Sequence, residues 1–252
     1  MLKKRIIPIQ LLMNHRLVKT IKFLNPRDVG DPVMSSKVYT NQDADELILL
    51  NIDRVDNSID TLVSTVEKIA AECFVPFSVG GGISSLKDAK RLFSAGADKI
   101  IINSVAFHNP QVINEIASLA GTQAVVVGID AKLVDGDYVI YSNCSTVAEP
   151  VSLPDHISRV IDLGAGEIMI QSIDNDGLML GYDLNLIKDV VRQSSVPVIA
   201  AGGAGSFAHI NEAFEAEVNA VACGSLFNFG DNNPLRAKAF LSNLGVPLKR
   251  IK

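Results

Sequence analysis

The chain has no tryptophan, only 6% aromatic residues and three cysteines among its 252 residues. Cys73, Cys144 and Cys223 lie far apart and have no histidine at a metal-binding spacing. This usage argues against a disulfide scaffold and against a cysteine-based metal site. We therefore expect a reducing cytoplasmic environment, buried or loop thiols, no metal and no cofactor.

Positive charge is also scarce. Lysine and arginine number 23 against 28 acidic residues, which gives a net charge of −5 and an isoelectric point near 5.4. A protein that binds nucleic acid normally carries a basic surface. The charge balance therefore argues against a nucleic-acid partner.

Long apolar runs are missing as well, and no stretch approaches the roughly 20 residues that span a bilayer. Residues 6–13 form an apolar run behind three basic residues, but the run is short and contains Pro8 and Gln10. No small-residue cleavage site follows, so a buried strand explains this segment better than a signal peptide. We expect a soluble protein with no membrane partner.

What the chain does contain is an internal repeat. Val75 opens the segment VPFSVGGG, and Val196 opens VPVIAAGG 121 positions later. The segments that share this offset are residues 45–53 and 166–174, 75–82 and 196–203, and 99–104 and 220–225. Three segments with one offset predict a two-fold repeat of half the chain.

Short apolar segments alternate with amphipathic ones throughout the chain, which predicts parallel strands joined by right-handed helical crossovers. The predicted strands include residues 5–12, 46–52, 99–103, 124–130, 167–172 and 220–224, together with the two VP segments. The predicted helices include residues 32–41, 58–73, 86–95, 110–119, 153–163, 184–192 and 234–244. Eight such units in two halves favour an α/β fold, a single (β/α)8 TIM barrel with half-barrels of about residues 1–122 and 123–252. A doubly wound sheet is the alternative, but the symmetric repeat argues against it.

Two connections are unusual. Residues 14–31 are polar and predict a long loop, a kind of segment that is usually functional in a compact domain. Residues 132–140 predict a small hairpin that turns at Asp135-Gly136.

Glycines and small polar residues follow several predicted strands, at the edge where barrels carry their active sites. Glycine-rich turns next to helix starts hold phosphate through backbone N–H groups, although turns need glycine for other reasons too. The first candidate cradle consists of Gly81, Gly82, Asn103 and Ser104. The second consists of Gly177, Gly203, Gly224 and Ser225, with Asp176 and Gly202 at the same edge. Two cradles predict a ligand with a phosphate at each end.

Asp130 follows a wholly apolar strand and is the candidate general base. Partial desolvation raises the pKa of a carboxylate towards the range in which it accepts protons efficiently. The alternative is an aspartate that caps a helix or anchors a loop, and Asp176-Gly177 could likewise be only a tight turn.

Four charged residues begin strands at the opposite rim: Arg5, Glu46, Lys99 and Glu167. Charges at strand starts often only solvate the bottom of a barrel. Two cations and two carboxylates could instead form a salt-bridged ring that closes the barrel floor.

With these residues in view, the chain resembles, nearly end to end, the cyclase subunit of imidazole glycerol phosphate synthase (HisF). The resemblance rests on residues 4–7, 25–32, 79–83, 124–132, 164–167, 172–177 and 202–205. It implies a (β/α)8 barrel that takes ammonia from a HisH-like glutaminase docked at the barrel bottom and passes it to a bis-phosphorylated substrate at the top. It also implies that Arg5, Glu46, Lys99 and Glu167 form the ammonia gate, that Asp130 is catalytic and that Lys19 binds substrate.

The chain departs from this family at the first of its two catalytic aspartates, where Leu11 ends strand one. Leucine neither donates nor accepts a proton, so the general acid of the family's mechanism is missing. Asn51 replaces a further aspartate, and Lys22 and Gln171 also differ. The loop carboxylates Asp28 and Asp31 are the candidate replacements for the acid.

Residues 11–23 resemble a distinct HisF-like branch associated with the biosynthesis of surface polysaccharides such as lipopolysaccharide. Members of that branch are thought to supply ammonia to a sugar amidotransferase for acetamidino modification of an N-acetyl sugar. Three functions follow as hypotheses: an ammonia-channelling subunit with a non-histidine product, which we favour; a histidine-pathway cyclase (a lyase); and a non-catalytic scaffold that binds phosphorylated ligands or activates its partner.

Overall fold

The structure is a computed structural model that describes residues 3–54 and 58–249. Its strands in chain order are β1 (Arg5–Met13), β2 (Arg16–Ile21), β3 (Leu24–Gly30), β4 (Leu47–Asn51), β5 (Phe77–Gly80), β6 (Lys99–Ile102), β7 (Val125–Val134), β8 (Asp137–Ser142), β9 (Val147–Ala148), β10 (Glu167–Ser172), β11 (Val198–Ala201) and β12 (Ala220–Cys223). Its helices are α1 (Pro32–Asn41), α2 (Ile59–Ala70), α3 (Leu86–Ser94), α4 (Ser104–His108), α5 (Gln111–Ala120), α6 (Leu153–Asp162), α7 (Leu184–Gln193), α8 (Phe207–Glu215), α9 (Ser225–Asn228) and α10 (Pro234–Asn243), with a 3-10 turn at Thr122–Ala124.

Eight parallel strands form a closed barrel. They run in the order β10, β11, β12, β1, β4, β5, β6 and β7, and β7 pairs with β10 to complete the ring. The strands are buried on both faces because helices cover their outer side, which is why their sequences are continuously apolar. The predicted (β/α)8 barrel is confirmed.

The two halves of the barrel have matching element bounds. β12 begins 121 positions after β6, and α8 begins and ends 121 positions after α3. Ser85 and Ser206, at equivalent positions, accept backbone hydrogen bonds that cap α3 and α8. The division of the chain into half-barrels at residue 122 stays a prediction.

Two short helices were not predicted. α4 and α9 begin directly after Asn103 and Gly224 and have 5 and 4 residues, too few to show a helical period in the sequence. The series of eight strands and eight helices is therefore incomplete as a prediction, because it also lacks β2, β3 and β9.

The prediction of a long loop over residues 14–31 is wrong. These residues form the antiparallel hairpin β2–β3, which pairs with the extended end of β1 through Leu11 and Val18. Leu17 and Val18 are buried, whereas the apolar side chains of Ile21 and Leu24 are exposed, so the hairpin shows only a short apolar pair on its buried side. The predicted hairpin at Asp135-Gly136 is confirmed by the pairing of β7 with β8, although β7 begins one residue later than predicted.

The apolar core has two layers. One lies between the strands and the helices, and the other fills the barrel interior. The interior layer consists of Ile7, Ile9, Ile48, Leu50, Ile101, Val126, Met169, Ile199, Ala201, Ala220 and Ala222. Every barrel strand except β5 supplies inward-facing residues to it, and where a strand supplies two they alternate, because side chains on a strand point to opposite faces. Within the described ranges, no helix combines the length and the apolar character needed to cross a membrane.

The outer layer contains one costly side chain. His156 in α6 is fully buried and stacks on Phe107 with ring centroids 4.3 Å apart. Neither ring nitrogen has a hydrogen-bond partner among the described residues. Burial, together with a smaller effect of the nearby Arg159 cation, lowers the pKa of His156 to about 4. The folded state therefore holds a neutral imidazole at physiological pH.

We expect His156→Phe to stabilise the protein by about 1–3 kcal/mol at pH 7, because it keeps the stack and removes two unpaired polar atoms. The histidine has an ordinary pKa near 6.5 when unfolded, so the unfolded chain binds more protons between pH 6.5 and 4. The wild type should therefore lose up to about 3 kcal/mol relative to His156→Phe as the pH falls through this window. Urea denaturation at several pH values measures both effects.

The exposed His108 in α4 provides the control. His108→Phe should change the free energy of unfolding by less than about 0.5 kcal/mol at either pH. A His156→Phe variant that is less stable than wild type at pH 5 would show that the imidazole makes an interaction that compensates its burial.

Candidate active site at the barrel mouth

The second predicted cradle lies in a small cavity of about 30 Å³ at the carboxyl ends of the strands. The predicted residues that line it are Lys19, Asp176, Gly177, Gly202, Gly203, Gly224 and Ser225. Thr20 and Gln171 add polar side chains to its lining, and Leu11 adds an apolar one. The structure thus brings together every residue that the sequence placed at this cradle and adds Lys19 from the β2–β3 hairpin.

Lys19 is buried in this cavity with its charged end pointing inward. Its Nζ donates a hydrogen bond of 2.6 Å to the carbonyl oxygen of Ile9. Burial lowers the pKa of Lys19 to about 8, although the Asp176 carboxylate acts in the opposite direction. At neutral pH the amine is therefore largely protonated and can either bind an anion or give up a proton.

Asp176 joins the hairpin to the rest of the mouth. Its carboxylate accepts hydrogen bonds from Thr20 Oγ1 at 2.8 Å and from the backbone N–H of Phe23 at 3.3 Å, and its carbonyl accepts from Lys22 N at 2.9 Å. Burial raises the pKa of Asp176, and these hydrogen bonds together with Lys19 oppose the shift. Gly177 permits the approach, since a Cβ there would strike the Thr20 carbonyl and its φ is +72°.

The first predicted cradle occupies the equivalent position in the other half. Gly81 and Gly82 follow β5, and Asn103 and Ser104 follow its neighbour β6. Asn103 Nδ2 donates a hydrogen bond of 2.8 Å to Asp130, and Ser104 Oγ accepts one of 3.0 Å from Asn143 N. The cavity around the second cradle does not extend to these residues.

Asp130 lies at the same edge of the barrel and is 8% exposed. Burial and, to a smaller extent, the Asp176 carboxylate raise the pKa of Asp130 to about 7 against the opposing effect of the hydrogen bond from Asn103. A carboxylate that titrates near neutral pH is suited to general base catalysis. The sequence-based reason for choosing Asp130, a desolvated carboxyl after an apolar strand, agrees with this geometry.

We expect Asp130→Asn to stabilise the protein at pH 8 by on the order of 3 kcal/mol. The folded state binds more protons than the unfolded state between pH 3.8 and about 7, so wild-type stability falls as the pH rises through this window. Asparagine removes the penalty and can still accept the hydrogen bond from Asn103. Chemical denaturation at pH 4 and pH 8 measures the difference.

Asp137, exposed at the start of β8, is the matched control. Asp137→Asn should leave stability unchanged within about 0.5 kcal/mol at both pH values. If Asp130→Asn were no more stable than wild type at pH 8, the carboxylate would be stabilised by a partner and would not act as a poised base.

The position that would hold the missing acid is apolar in the structure too. Leu11 lines the cavity and is 8% exposed, and its strand pairs with β4 through Leu50. The two loop carboxylates are not available as replacements. Asp28 pairs with Arg16 at the surface, and Asp31 caps α1 by accepting from Met34 N. Neither of them lines the mouth cavity.

The four strand-start charges at the opposite rim form a closed network, which we call the gate ring. Arg5 contacts Glu46 at 2.8 Å and Glu167 at 2.5 Å, while Lys99 contacts the same two carboxylates at 3.0 and 2.6 Å. Burial alone would raise the pKa of Glu167, but its hydrogen bonds and charge pairing with Arg5 and Lys99 hold it below the ordinary value. Each carboxylate therefore satisfies both cations.

Sequence reasoning missed Ser78, whose hydroxyl donates a 2.5 Å hydrogen bond to Glu46. The sequence pattern could have identified Ser78, because Ser78 and Gly80 are alternate residues of β5 and so face the barrel interior.

Above the gate ring the interior is the apolar layer described above, which separates the ring from the mouth. Among the described residues, no group of three or more His, Cys, Asp or Glu side chains is placed to hold a metal ion.

Known proteins of one family are similar in sequence to this chain. A family model described as "Histidine biosynthesis protein" matches residues 5–233. The chain is 43% identical over 249 residues to "Imidazole glycerol phosphate synthase subunit HisF" of Exiguobacterium sibiricum, covering 99% of this chain and 100% of that protein. Proteins of the same name from Streptococcus sanguinis and Bacillus cereus are each 41% identical, with the same coverage.

Proposed function

The chain belongs to the HisF family of histidine biosynthesis proteins, and from this membership we propose that it is the ammonia-channelling synthase subunit of a glutamine amidotransferase complex. A gate ring at one end of an apolar barrel interior, with Leu11 at the other end, is the observation that carries the proposal. The ring can control the entry of ammonia, and the apolar interior can conduct it. At the mouth, Leu11 in β1 stands where the cyclase mechanism needs a general acid.

The physical basis is the difference between ammonia and ammonium. A charged ion is costly to transfer into an apolar interior, whereas small neutral ammonia carries only a modest penalty. The layer of Ile7, Ile48, Ile101 and Met169 therefore favours the neutral molecule. The gate ring charges keep the floor closed until a partner disturbs them.

The proposed partner is a HisH-like glutaminase docked over the rim that carries the gate ring, as a heterodimer. Phe74, in the connection from α2 to β5, lies at this rim and is 88% exposed. An aromatic side chain this exposed costs the free protein hydrophobic free energy and is a common anchor in interfaces. At the opposite rim Leu180 is similarly exposed, at 80%.

For the acceptor we propose a sugar of a surface polysaccharide, modified to an acetamidino group by a separate sugar amidotransferase. Leu11 and the resemblance of residues 11–23 to the HisF-like branch support this reading. The two cradles, proposed as Gly81, Gly82, Asn103 and Ser104 and as Gly177, Gly203, Gly224 and Ser225, would then hold phosphate groups of a ligand or of a regulator.

The second candidate is the cyclase (lyase) reaction of histidine biosynthesis. It would convert the bis-phosphorylated formimino-ribulose compound and ammonia to imidazole glycerol phosphate and the aminoimidazole carboxamide ribotide. The pKa values of Asp130, about 7, and of the buried Lys19, about 8, favour it. Asp130 would be the base, and Lys19 would have to supply the proton that Leu11 cannot.

The test reconstitutes the chain with its HisH-like glutaminase and measures glutamine hydrolysis and complex formation. We expect stimulation by the chain, and we expect Phe74→Glu to weaken the complex at least about tenfold because it places a charge in the proposed interface. Leu180→Glu, at the opposite rim, should leave the affinity unchanged. Absence of binding and stimulation would favour the scaffold reading, and an effect of Leu180→Glu alone would place the partner at the mouth.

A further inference from the structure

A lysine that plays no part in the gate ring is buried close to it. Lys238 in α10 has no exposed surface, and its Nζ contacts Asp45 Oδ1 at 2.7 Å, Asp43 Oδ2 at 3.0 Å and the Asp43 carbonyl oxygen at 2.6 Å. Asp43 follows α1 in a left-handed conformation with φ of 60°, which turns the chain towards the lysine. All three contacts join α10 to the segment that leads into β4.

Burying the Lys238 ammonium with its two carboxylates costs desolvation free energy, and an apolar residue of similar volume often gives equal or better stability. The network therefore calls for a reason beyond packing. Asp45 supplies such a reason through a second contact. Its other carboxylate oxygen accepts a hydrogen bond of 2.9 Å from the backbone N–H of Ile6. The backbone N–H of Asp45 also donates to the Ile6 carbonyl at 3.2 Å. Asp45 and Ile6 are thus locked to each other, with Lys238 fixing the carboxylate.

The two locked residues are the chain neighbours of the gate ring. Ile6 follows Arg5, and Asp45 precedes Glu46. The regular pairing of β1 with β4 runs only from Ile9 opposite Ile48 upward. Glu46 itself lies just before the first residue of β4, so the sheet ladder does not hold it against β1. The Asp45–Ile6 lock provides that connection.

The other gate ring residues need no such device. Arg5 is paired opposite Ala220 in β12, Lys99 opposite Ser78 in β5, and Glu167 opposite Val126 in β7. Their backbones are held by ladder hydrogen bonds. Among these four residues, only Glu46 has a backbone that lies outside the strand ladder, although its carboxylate accepts hydrogen bonds from both gate ring cations.

We propose that Lys238 is a positioning residue for the gate ring: through Asp45 it fixes the start of β4 against β1 and holds Glu46 where Arg5 and Lys99 meet it. The inference rests on the proposed function for what the gate ring controls, while the positioning itself is a property of the free chain. Loss of Lys238 should loosen the contact of Glu46 with Lys99.

The test is the reactivity of the Lys99 amine, read by mass spectrometry after brief treatment of the full chain with acetic anhydride. Lys99 has 16% of its side chain exposed and both carboxylates bound, so we expect it to react slowly. Lys238→Met should raise its rate about tenfold, since it makes local opening of the gate ring easier. Lys238→Arg, which keeps the charge and the donors, should restore most of the protection.

Lys188→Met, at an exposed position of α7, is the matched control and should leave Lys99 unchanged. If Lys238→Met does not fold, Lys238→Met combined with Asp45→Asn replaces it, because asparagine removes the unpaired carboxylate and can still accept from Ile6. We expect the same gain in Lys99 reactivity. A folded variant with wild-type Lys99 reactivity would overturn the proposal and leave Lys238 a role in the fold alone.

The same variants separate this inference from the proposed function. Glutaminase stimulation is measured in parallel for the wild type and for Lys238→Met. If Lys99 responds to Lys238→Met but the wild type stimulates no glutaminase, the positioning role stands and the ammonia-channelling function is wrong. If the wild type stimulates the glutaminase and Lys99 does not respond, the function stands and the positioning role is wrong.

Discussion

Leu11→Asp is expected to raise ammonium-dependent ring closure of the bis-phosphorylated formimino-ribulose substrate by about 10²–10⁴-fold over the unaltered chain. Leu11 lines the mouth cavity together with Lys19 and Asp176, so a carboxyl group there would face the same space. Partial burial would raise its pKa and favour the protonated form that an acid requires. Asp130 would still provide the base at the other side of the mouth.

The measurement is a cyclase assay at saturating ammonium, which makes the result independent of any glutaminase. Leu11→Asn has nearly the shape of the aspartate but no proton to give, so it should remain inactive. Adding Asp130→Asn to Leu11→Asp should abolish the gain. Clear turnover by the unaltered chain would contradict the favoured function and make Lys19 the leading candidate for the acid, whereas silence from every variant would indicate a different substrate.

Glu46→Gln is expected to destabilise the protein by about 3–5 kcal/mol and to abolish most of the stimulation of the glutaminase by the chain. The Glu46 side chain is 2% exposed and is bound by Arg5, Lys99 and Ser78. Replacing it with a neutral amide leaves two partly buried cations to share Glu167 and turns an N–H group towards one of them. Breaking a buried ion pair from one side is costly because the remaining charge is uncompensated.

Glu72 forms a surface ion pair with Lys37 at 2.8 Å, and about half of each side chain is exposed. Glu72→Gln should therefore cost no more than about 1 kcal/mol, as exposed pairs usually do. The free energy of unfolding and the glutaminase stimulation are measured for both variants. A Glu46→Gln variant with wild-type stimulation would show that the gate ring only supports the barrel floor.

The two predictions probe opposite ends of one barrel. Leu11 concerns chemistry at the mouth, where the raised pKa of Asp130 means that the folded state disfavours the charged form of a poorly solvated carboxyl group. Glu46 concerns passage through the floor. A chain that passes the second test controls the passage of ammonia whatever the first test gives. A gain in the first test would show in addition that the mouth keeps a cyclase site that lacks only its acid.

Much of the fold was predictable because its signals are local. The repeat at a single offset, the apolar strands and the polar helix starts are all visible within short windows, and they predicted the closed barrel and most element bounds. The β2–β3 hairpin escaped because only Leu17 and Val18 mark it as buried. The short helices α4 and α9 escaped because 4 or 5 residues cannot show a helical period.

The sequence by itself determined that the chain forms a barrel of alternating units, and therefore which residues lie at each rim, because strand direction and the two-residue period of side chains follow from the local pattern. Only the tertiary structure decided which rim residues touch. Arg5 meets Glu167 across 162 positions, and Lys238 meets Asp45 across 193. Such contacts arise when the barrel closes and the last helix packs beneath its first strand, and no local pattern encodes those distances.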